Sequence, residues 1–376
     1  MTAVMRALGL MSGTSADGID LALIDTDGER IAHFGPVMTV PLTPTTRAAI
    51  REASRVAAAW DPGQAVPGAV REAEARVTEA HRAAIEHFLA RTGTPRDAIG
   101  VIGFHGQTIL HRPDQHLTWQ IGDGLALAYE FSIDVVGQFR LADVAAGGQG
   151  APFAPLYHQA LARGMMERDG PIAVLNIGGV SNLTWIGLDP EEAPVAFDCG
   201  PGNALIDDWA LAHTGRPVDA DGALAGAGEV DIQILNQMMD HPFFDLGVPK
   251  SLDRDDFTLG AVRGLAAEDG AATLTAFTVE AIAQARVHFP RPVTRFLVTG
   301  GGRHNPVMME MLGTRLGVAV QPVESAGWRG DSIEAEAFAY LAVRALRGLA
   351  LSLPTTTGVP VPMPGGQVFR PMRMSR

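Results

Sequence analysis

Near the start of the chain lies a stretch of small and polar residues, Ser12, Gly13, Thr14, Ser15, Ala16, Asp17 and Gly18, set between two apolar runs. A plain β-hairpin needs only two turn residues. A longer tip carrying glycines, hydroxyls and carboxylates suits main-chain amides and hydroxyls held ready for an anion, most often a phosphate. Two more glycine clusters stand at apolar strand-like ends, Gly178-Gly179 and Gly300-Gly301-Gly302. Together the three loops could clamp a nucleotide between two α/β domains. Asp198 closes a strand-like run before a Pro/Gly loop, a place for either a general base or a carboxylate that braces the loop through nearby amides. Asp331 and Glu334 have the spacing of a helix capping box. His105, His111 and His116 match neither an i, i+4 pair nor a zinc pattern, and no cysteine helps them. His105 and Gln107 could form a loop hydrogen-bonded pair. Arg140 could hold a carboxylate through a bidentate pair, or pair with Asp143.

These residues need strands and capped helices to position them. Residues 1–28 read as a hairpin and 31–41 as a further strand. Residues 66–93 read as a long amphipathic helix that Gly93 stops. A strand over 101–109 runs into a polar loop. A helix near 122–131 and a strand over 133–139 follow, and the glycine-rich 147–152 suggests a domain junction. A second hairpin over 172–187 echoes the first. Residues 197–215 read as strand end, loop and helix with Asn203 as N-cap and Gly215 as stop. Residues 295–317 are strand, glycine loop and helix, with Asn305 as N-cap and Pro306 at the first helical position. A long Ala-rich helix spans 330–353, and the tail beyond wraps the surface. The expectation is a two-domain α/β protein, with residues 1–140 as the first domain, joined by the C-terminal tail, and 141–376 as the second.

Composition sets limits. The chain has 376 residues, 47% of them hydrophobic and 19% charged, enough for two packed cores and not the profile of disorder. Its net charge of −13, with no clustered lysines or arginines, argues against a nucleic-acid partner. The one cysteine, Cys199, excludes an internal disulfide and fits a reducing compartment; it reads as a small core residue, not a nucleophile. No signal-peptide pattern opens the chain and no apolar run approaches about 20 residues, so a cytoplasmic protein is expected. A P-loop, a dinucleotide fingerprint and the protein-kinase signatures are all missing.

In order and spacing, MSGTSADGID, VLNIGGVSN and LVTGGGRHN resemble the two phosphate motifs and the adenosine motif of the actin, sugar-kinase and heat-shock ATPase superfamily. FHGQT with HRP, QIGDG, GGQGAP, FDCGPGN, PKS, TGGGRHNP and IEAEAFAYLA extend the likeness, and within the superfamily the chain resembles the anhydro-N-acetylmuramic acid kinases from residue 11 to about 342. Two departures stand out: Gln138-Phe139-Arg140 where the family usually has Asp-Phe-Arg, and Cys199 where it usually has Thr.

The resemblance implies an actin-like, sugar-kinase fold with a central cleft and an enzyme that uses ATP, with Mg²⁺, to open and phosphorylate 1,6-anhydro-N-acetylmuramic acid in peptidoglycan recycling. It implies Asp198 as catalytic base and Glu334, with Glu336 as fallback, near the attacking water. Gly13, Thr14, Ser15, Ala16, Asp17, Gly18, Ile19, Asp20, Gly178, Gly179, Gly300, Gly301, Gly302 and Asn305 would bind ATP, and His105, Gln107, Arg140 and Asn203 the sugar. Asp17 or Asp20 would meet the metal through water. Family habit implies a homodimer. The competing expectations are an ordinary sugar or carboxylate kinase of the same superfamily and a regulatory ATPase.

Overall fold

The computed structural model describes residues 3–13, 15–165, 168–252 and 254–372. The chain divides into two units, Met1–Gly164 with Asp331–Arg376, and Met165–Gly330. The expected boundary after residue 140 therefore falls inside the first unit. The reason is packing: the Leu141–Ala145 helix lies against the strand Leu117–Ile121, and the Pro155–Arg163 helix against the helix Ile333–Leu346. Residues 147–152 are likewise internal to the first unit, not a junction.

The first unit is built on the strands β1 (Met5–Met11), β2 (Gly18–Thr26), β3 (Ile31–Pro41), β4 (Val101–Phe104), β5 (Gln107–Arg112), β6 (Leu117–Ile121) and β7 (Asp134–Gly137). The second contains β8 (Ile172–Ile177), β9 (Val180–Ile186), β10 (Val195–Pro201), β11 (Arg295–Thr299) and β12 (Ala319–Pro322), and β13 (Gln367–Phe369) returns to the first. Among the described residues the first main sheet runs β13-β7-β4-β1-β2-β3 and the second β10-β9-β8-β11-β12, while β5 and β6 pair separately. Both sheets follow one plan. Three successive strands form an antiparallel meander (β1-β2-β3, β8-β9-β10), and its first strand takes a parallel neighbour on its other side (β4, β11), followed by a second parallel strand (β7, β12). The echo between the two hairpins is thus a shared strand order.

Each unit has its own core. Leu8, Leu10, Leu21, Val77, Phe88 and Phe131 belong to the first, and Leu175, Trp185, Phe197, Phe277, Phe296 and Leu312 to the second. In the first unit the Ile333–Leu346 helix lies on β1, β2 and β4. Its alanines and two sheet glycines permit a very close approach. A Cβ on Gly9 would fall 1.8 Å from the Ala335 carbonyl oxygen, and one on Gly103 2.1 Å from that of Phe338. This contact fixes the start of the helix, and with it Glu334. Among the described residues no helix is long and apolar enough to cross a membrane.

Candidate active site

In the first unit the hairpin tip follows β1. Ala16 takes a left-handed conformation (φ 54°) and its amide donates to the Gly13 carbonyl at 3.1 Å, closing the turn. The side chains of Ala16 and Ile19 enter the apolar core, so only their main-chain groups remain for a ligand. Asp17 is exposed and lies 3.8 Å from Arg47. Asp20, at the start of β2 opposite Met11, accepts the Thr39 hydroxyl at 2.6 Å. Burial raises its pKa, the Thr39 hydrogen bond opposes the rise, and the negative field of Asp331 adds to it. Thr14 lies outside the described residues.

Beyond β4, Gly106 turns the chain with φ +73°, a conformation a side chain would strain. This places His105 against the Arg140 guanidinium. The imidazole Nδ1 faces the Gly106 carbonyl at 2.8 Å, and Nε2 accepts from Arg140 Nη2 at 3.0 Å. One ring nitrogen donates and the other accepts, so the ring is neutral; burial and the Arg140 charge hold its pKa well below the usual value. Arg140 Nη1 donates to the Gly150 carbonyl at 2.5 Å. Burial lowers the guanidinium pKa to about 10, against the favourable fields of Glu334 and Asp143, and it remains a cation at neutral pH. The suggested Arg140–Asp143 hydrogen-bonded pair is not formed. Asp143 instead accepts the Gly150 amide at 2.7 Å and the Thr357 hydroxyl at 2.6 Å.

The two carboxylates of the Ile333–Leu346 helix separate cleanly. Glu336 is fully buried and accepts the Tyr157 hydroxyl at 2.5 Å, so it does not serve as the fallback. Glu334 is open to solvent but hemmed in by surrounding protein. That crowding raises its pKa, Arg140 lowers it and Asp20 raises it. The helix begins at Ser332 without a side-chain cap, so the Asp331–Glu334 capping box does not form and Glu334 is left for other work.

In the second unit Asp198 sits on β10 opposite Asn182, next to a bulge before Gly200. The segment Lys250–Leu252 straps it in place. The Asp198 amide donates to the Lys250 carbonyl at 3.0 Å, and the Leu252 amide donates to Asp198 Oδ2 at 2.9 Å. No donor among the described residues reaches Oδ1. Burial pushes the carboxyl up to about 7, only partly opposed by the Leu252 hydrogen bond. Asp198 is therefore braced by main-chain bonds and exchanges its proton near neutrality. Cys199 is buried and its thiol donates to the Ser181 carbonyl at 3.2 Å; burial raises its pKa well above the ordinary value. Lys250 is a participant the residue pattern alone did not single out, although the PKS string contains it. Its ammonium donates to the Phe243 carbonyl at 3.0 Å and lies 4.4 Å from that ring's centre.

The Gly178-Gly179 tip accepts from the start of the next helix: Asn203 N donates to the Gly178 carbonyl at 2.7 Å and Gly202 N to that of Gly179 at 2.9 Å. Asn203 does not cap its helix through its side chain; Nδ2 donates to the Ile177 carbonyl at 3.0 Å. The amide also borders the third loop, because Cβ atoms added to Gly301 and Gly302 would lie 3.5 and 3.3 Å from it. Asn203 thus joins both glycine loops. Gly300 and Gly302 are glycines for packing: added Cβ atoms would strike Asn176 and Ile177 within 2.7 Å. Gly301 alone is exposed and unobstructed at that distance. Asn305 caps the next helix as expected, accepting the Met308 amide at 3.0 Å.

The model of the family described as anhydro-N-acetylmuramic acid kinase matches residues 5–371. The chain belongs to the anhydro-N-acetylmuramic acid kinase family. Curated relatives with that name include one from Paramagnetospirillum magneticum, 54% identical over 96% of this chain and 99% of its own. Another, from Rhizorhabdus wittichii, is 53% identical over 98% of this chain and 99% of its own. A third, from Nitrobacter winogradskyi, is 54% identical over 98% and 100% respectively. Among solved structures, a ROK family glucokinase from Streptomyces griseus in complex with glucose and AMPPNP aligns over 90% of this chain and 99% of that one, at 14% identity and TM-score 0.41. The two α/β units of this anhydro-N-acetylmuramic acid kinase family member, each carrying a glycine-tipped hairpin on the same strand plan, are of the actin-like, sugar-kinase class.

Among the described residues no three His, Cys, Asp or Glu side chains form a ready metal cluster. The first unit does bring the charge of Asp331 close to Asp20 and that of Asp20 close to Glu334.

Proposed function

We propose that the protein consumes ATP, water and 1,6-anhydro-N-acetylmuramic acid and yields N-acetylmuramic acid 6-phosphate and ADP. The observation that carries this reading, beside family membership, is Asp198: a carboxylate strapped at a strand end, with one oxygen open and a pKa of about 7. An ordinary sugar kinase deprotonates a substrate hydroxyl. Here Asp198 takes a proton from water, the water oxygen bonds to the anomeric carbon, and the bond from that carbon to the 6-oxygen breaks. The freed 6-oxygen bonds to the γ-phosphorus as the bond to ADP breaks, so the charge on a poor leaving group passes to the phosphoryl group. In the first unit Glu334 is the further carboxylate we assign to the reaction, and the field of Arg140 favours its charged form.

The tip from Gly13 to Asp20, the Gly178-Gly179 turn, Gly301 and the capped helix after Asn305 take ATP. His105, Arg140 and Asn203 take the sugar, with Gln107 beside them. Asp20 is the residue we assign to Mg²⁺ through water. Its raised proton affinity beside Asp331 supports this, since a cation relieves the same repulsion, whereas Asp17 is already opposite Arg47. The ion would neutralise phosphate charge. We place the enzyme in the cytoplasm, in cell-wall sugar recycling, as a homodimer; light scattering tests the last point.

In ¹⁸O-labelled water the product should carry label at the anomeric hydroxyl, and a plain phosphoryl transfer would leave it unlabelled. Asp198→Asn should keep ADP and sugar binding while ring opening and phosphorylation fall together, by about 10³-fold or more. Survival of anhydro-sugar phosphorylation in that variant would refute the coupled reaction.

A further inference from the structure

The segment that carries His105 also reaches the phosphate hairpin. Gln107 is 1% exposed, and both ends of its amide are engaged by the tip after β1. The Ser12 hydroxyl donates to Gln107 Oε1 at 2.6 Å, and Gln107 Nε2 donates to the Gly13 carbonyl at 3.0 Å. Ser12 is itself 1% exposed. Its only hydroxyl hydrogen is committed to Gln107, so it has none to give a phosphate. Two residues back, the His105 amide donates to the Leu10 carbonyl at 3.2 Å, which continues the attachment along β1.

We infer that Gln107 is a positioning residue for the nucleotide, latching the phosphate hairpin through Ser12 and Gly13, and not a direct sugar contact. This rests on the proposed binding of ATP phosphates by that hairpin. The chemistry is that of a buried amide with matched partners. A carboxamide supplies one acceptor and one donor in a fixed plane, and the tip supplies one hydroxyl donor and one carbonyl acceptor. Without the amide, the Ser12 hydroxyl loses its acceptor and the Gly13 carbonyl keeps only the Ala16 amide, and the tip must reorder before a phosphate can use its amides.

The test is a set of titrations on the full chain with Gln107→Leu, Gln107→Glu and Ser12→Ala. The readouts are the Kd of ADP without sugar, and the KM values of ATP and of the anhydro sugar. We expect the ADP Kd and the ATP KM to rise about tenfold in Gln107→Leu, with the sugar KM within twofold of wild type. Ser12→Ala should give a smaller rise. The double variant Ser12→Ala/Gln107→Leu should be no weaker than Gln107→Leu alone, because both changes break one latch. Gln107→Glu keeps the acceptor for Ser12 but opposes the Gly13 carbonyl, so its loss should match that of Gln107→Leu. A rise in sugar KM with unchanged ADP binding would overturn the inference and make Gln107 a sugar ligand. Additive effects of the two substitutions would also overturn it. Wild-type protein that failed to bind ADP at all would overturn the kinase reading instead. If Gln107→Leu does not fold, the conservative Ser12→Ala carries the test, and its normal ADP affinity would count against the latch.

Discussion

At the scale of single residues, Asp198 joins two requirements that usually conflict. It must be held rigidly, and it must keep an oxygen free. Main-chain bonds to Lys250 and Leu252 do the holding without using Oδ1. Burial raises its pKa from the usual 3.8 to about 7, so the carboxylate that the proposed reaction uses as its base is lost by protonation as pH falls. The expected outcome is a kcat/KM that falls about tenfold per pH unit below an apparent pKa near 7, and a pH–rate profile checks it. The sign for stability is the reverse. Between the unfolded and folded pKa values the native chain holds a proton that the unfolded chain has lost, so this group's stabilising contribution disappears as pH rises through 7. Asp198→Asn should therefore melt a few degrees above wild type at pH 8, an effect that differential scanning calorimetry would detect. Cys199 should prove quiet. Its thiol donates one bond to Ser181, which a threonine hydroxyl can replace, so Cys199→Thr should retain activity within about twofold. The strand end before a Pro/Gly loop made Asp198 legible in the sequence. The choice between Glu334 and Glu336 was not legible: residues two apart on a helix face different ways, and only the packing of Tyr157 decides which one is buried.

At the scale of elements, local signals were strong where a cap or an amphipathic period existed. Gly93 and Gly215 close their helices in the left-handed conformation, and Asn305 caps its helix as its neighbours suggest. Asn203 failed as a cap because the long-range Ile177 carbonyl claimed its amide, and no local pattern encodes that partner. The helix Ala267–Ala285 carried little signal. Nearly every residue from Gly270 to Ala285 is buried, so it lacks the polar face that reveals helical period. The triple glycine looked like a nucleotide loop throughout, yet two of its three members serve the contact with Ile177. The tightest element contact is that of the Ile333–Leu346 helix with Gly9 and Gly103. Gly103→Ala would place its methyl carbon 2.1 Å from a main-chain oxygen that cannot rotate away. It should destabilise the protein by about 3 kcal/mol or more and lower activity through a displaced Glu334. Urea unfolding and kcat together check this; a melting curve equal to wild type would show that the helix can shift freely.

At the scale of the whole molecule, the two units share a strand plan but differ in how the chain builds them. The second unit is one continuous stretch, and the first is made from both ends. Residues 165–330 expressed alone should fold with native-like circular dichroism, whereas residues 1–164 alone should not, because the face of β1, β2 and β4 lacks its helix. Adding residues 331–376 as a separate peptide should restore structure to 1–164. The sequence made the repeated hairpin visible through its glycine tips. It did not place the boundary, because Gly147–Pro152 looks like a linker while Asp143 and Thr357 bind it into the first unit.

That split construction has a temporal side. A ribosome releases β1 and β4 early, with Gly9 and Gly103 on a bare apolar face, and the covering helix emerges only after residues 165–330 have been made. At about 5–20 residues per second the nascent chain carries that uncovered surface for roughly 8–30 s. During this interval β3, already an exposed sheet edge, and the open helix-binding face are together available to other chains. Vectorial synthesis, more than the finished fold, thus sets how long this apolar face stays open to other chains. Moving the last helix ahead of β1 by circular permutation would remove that wait.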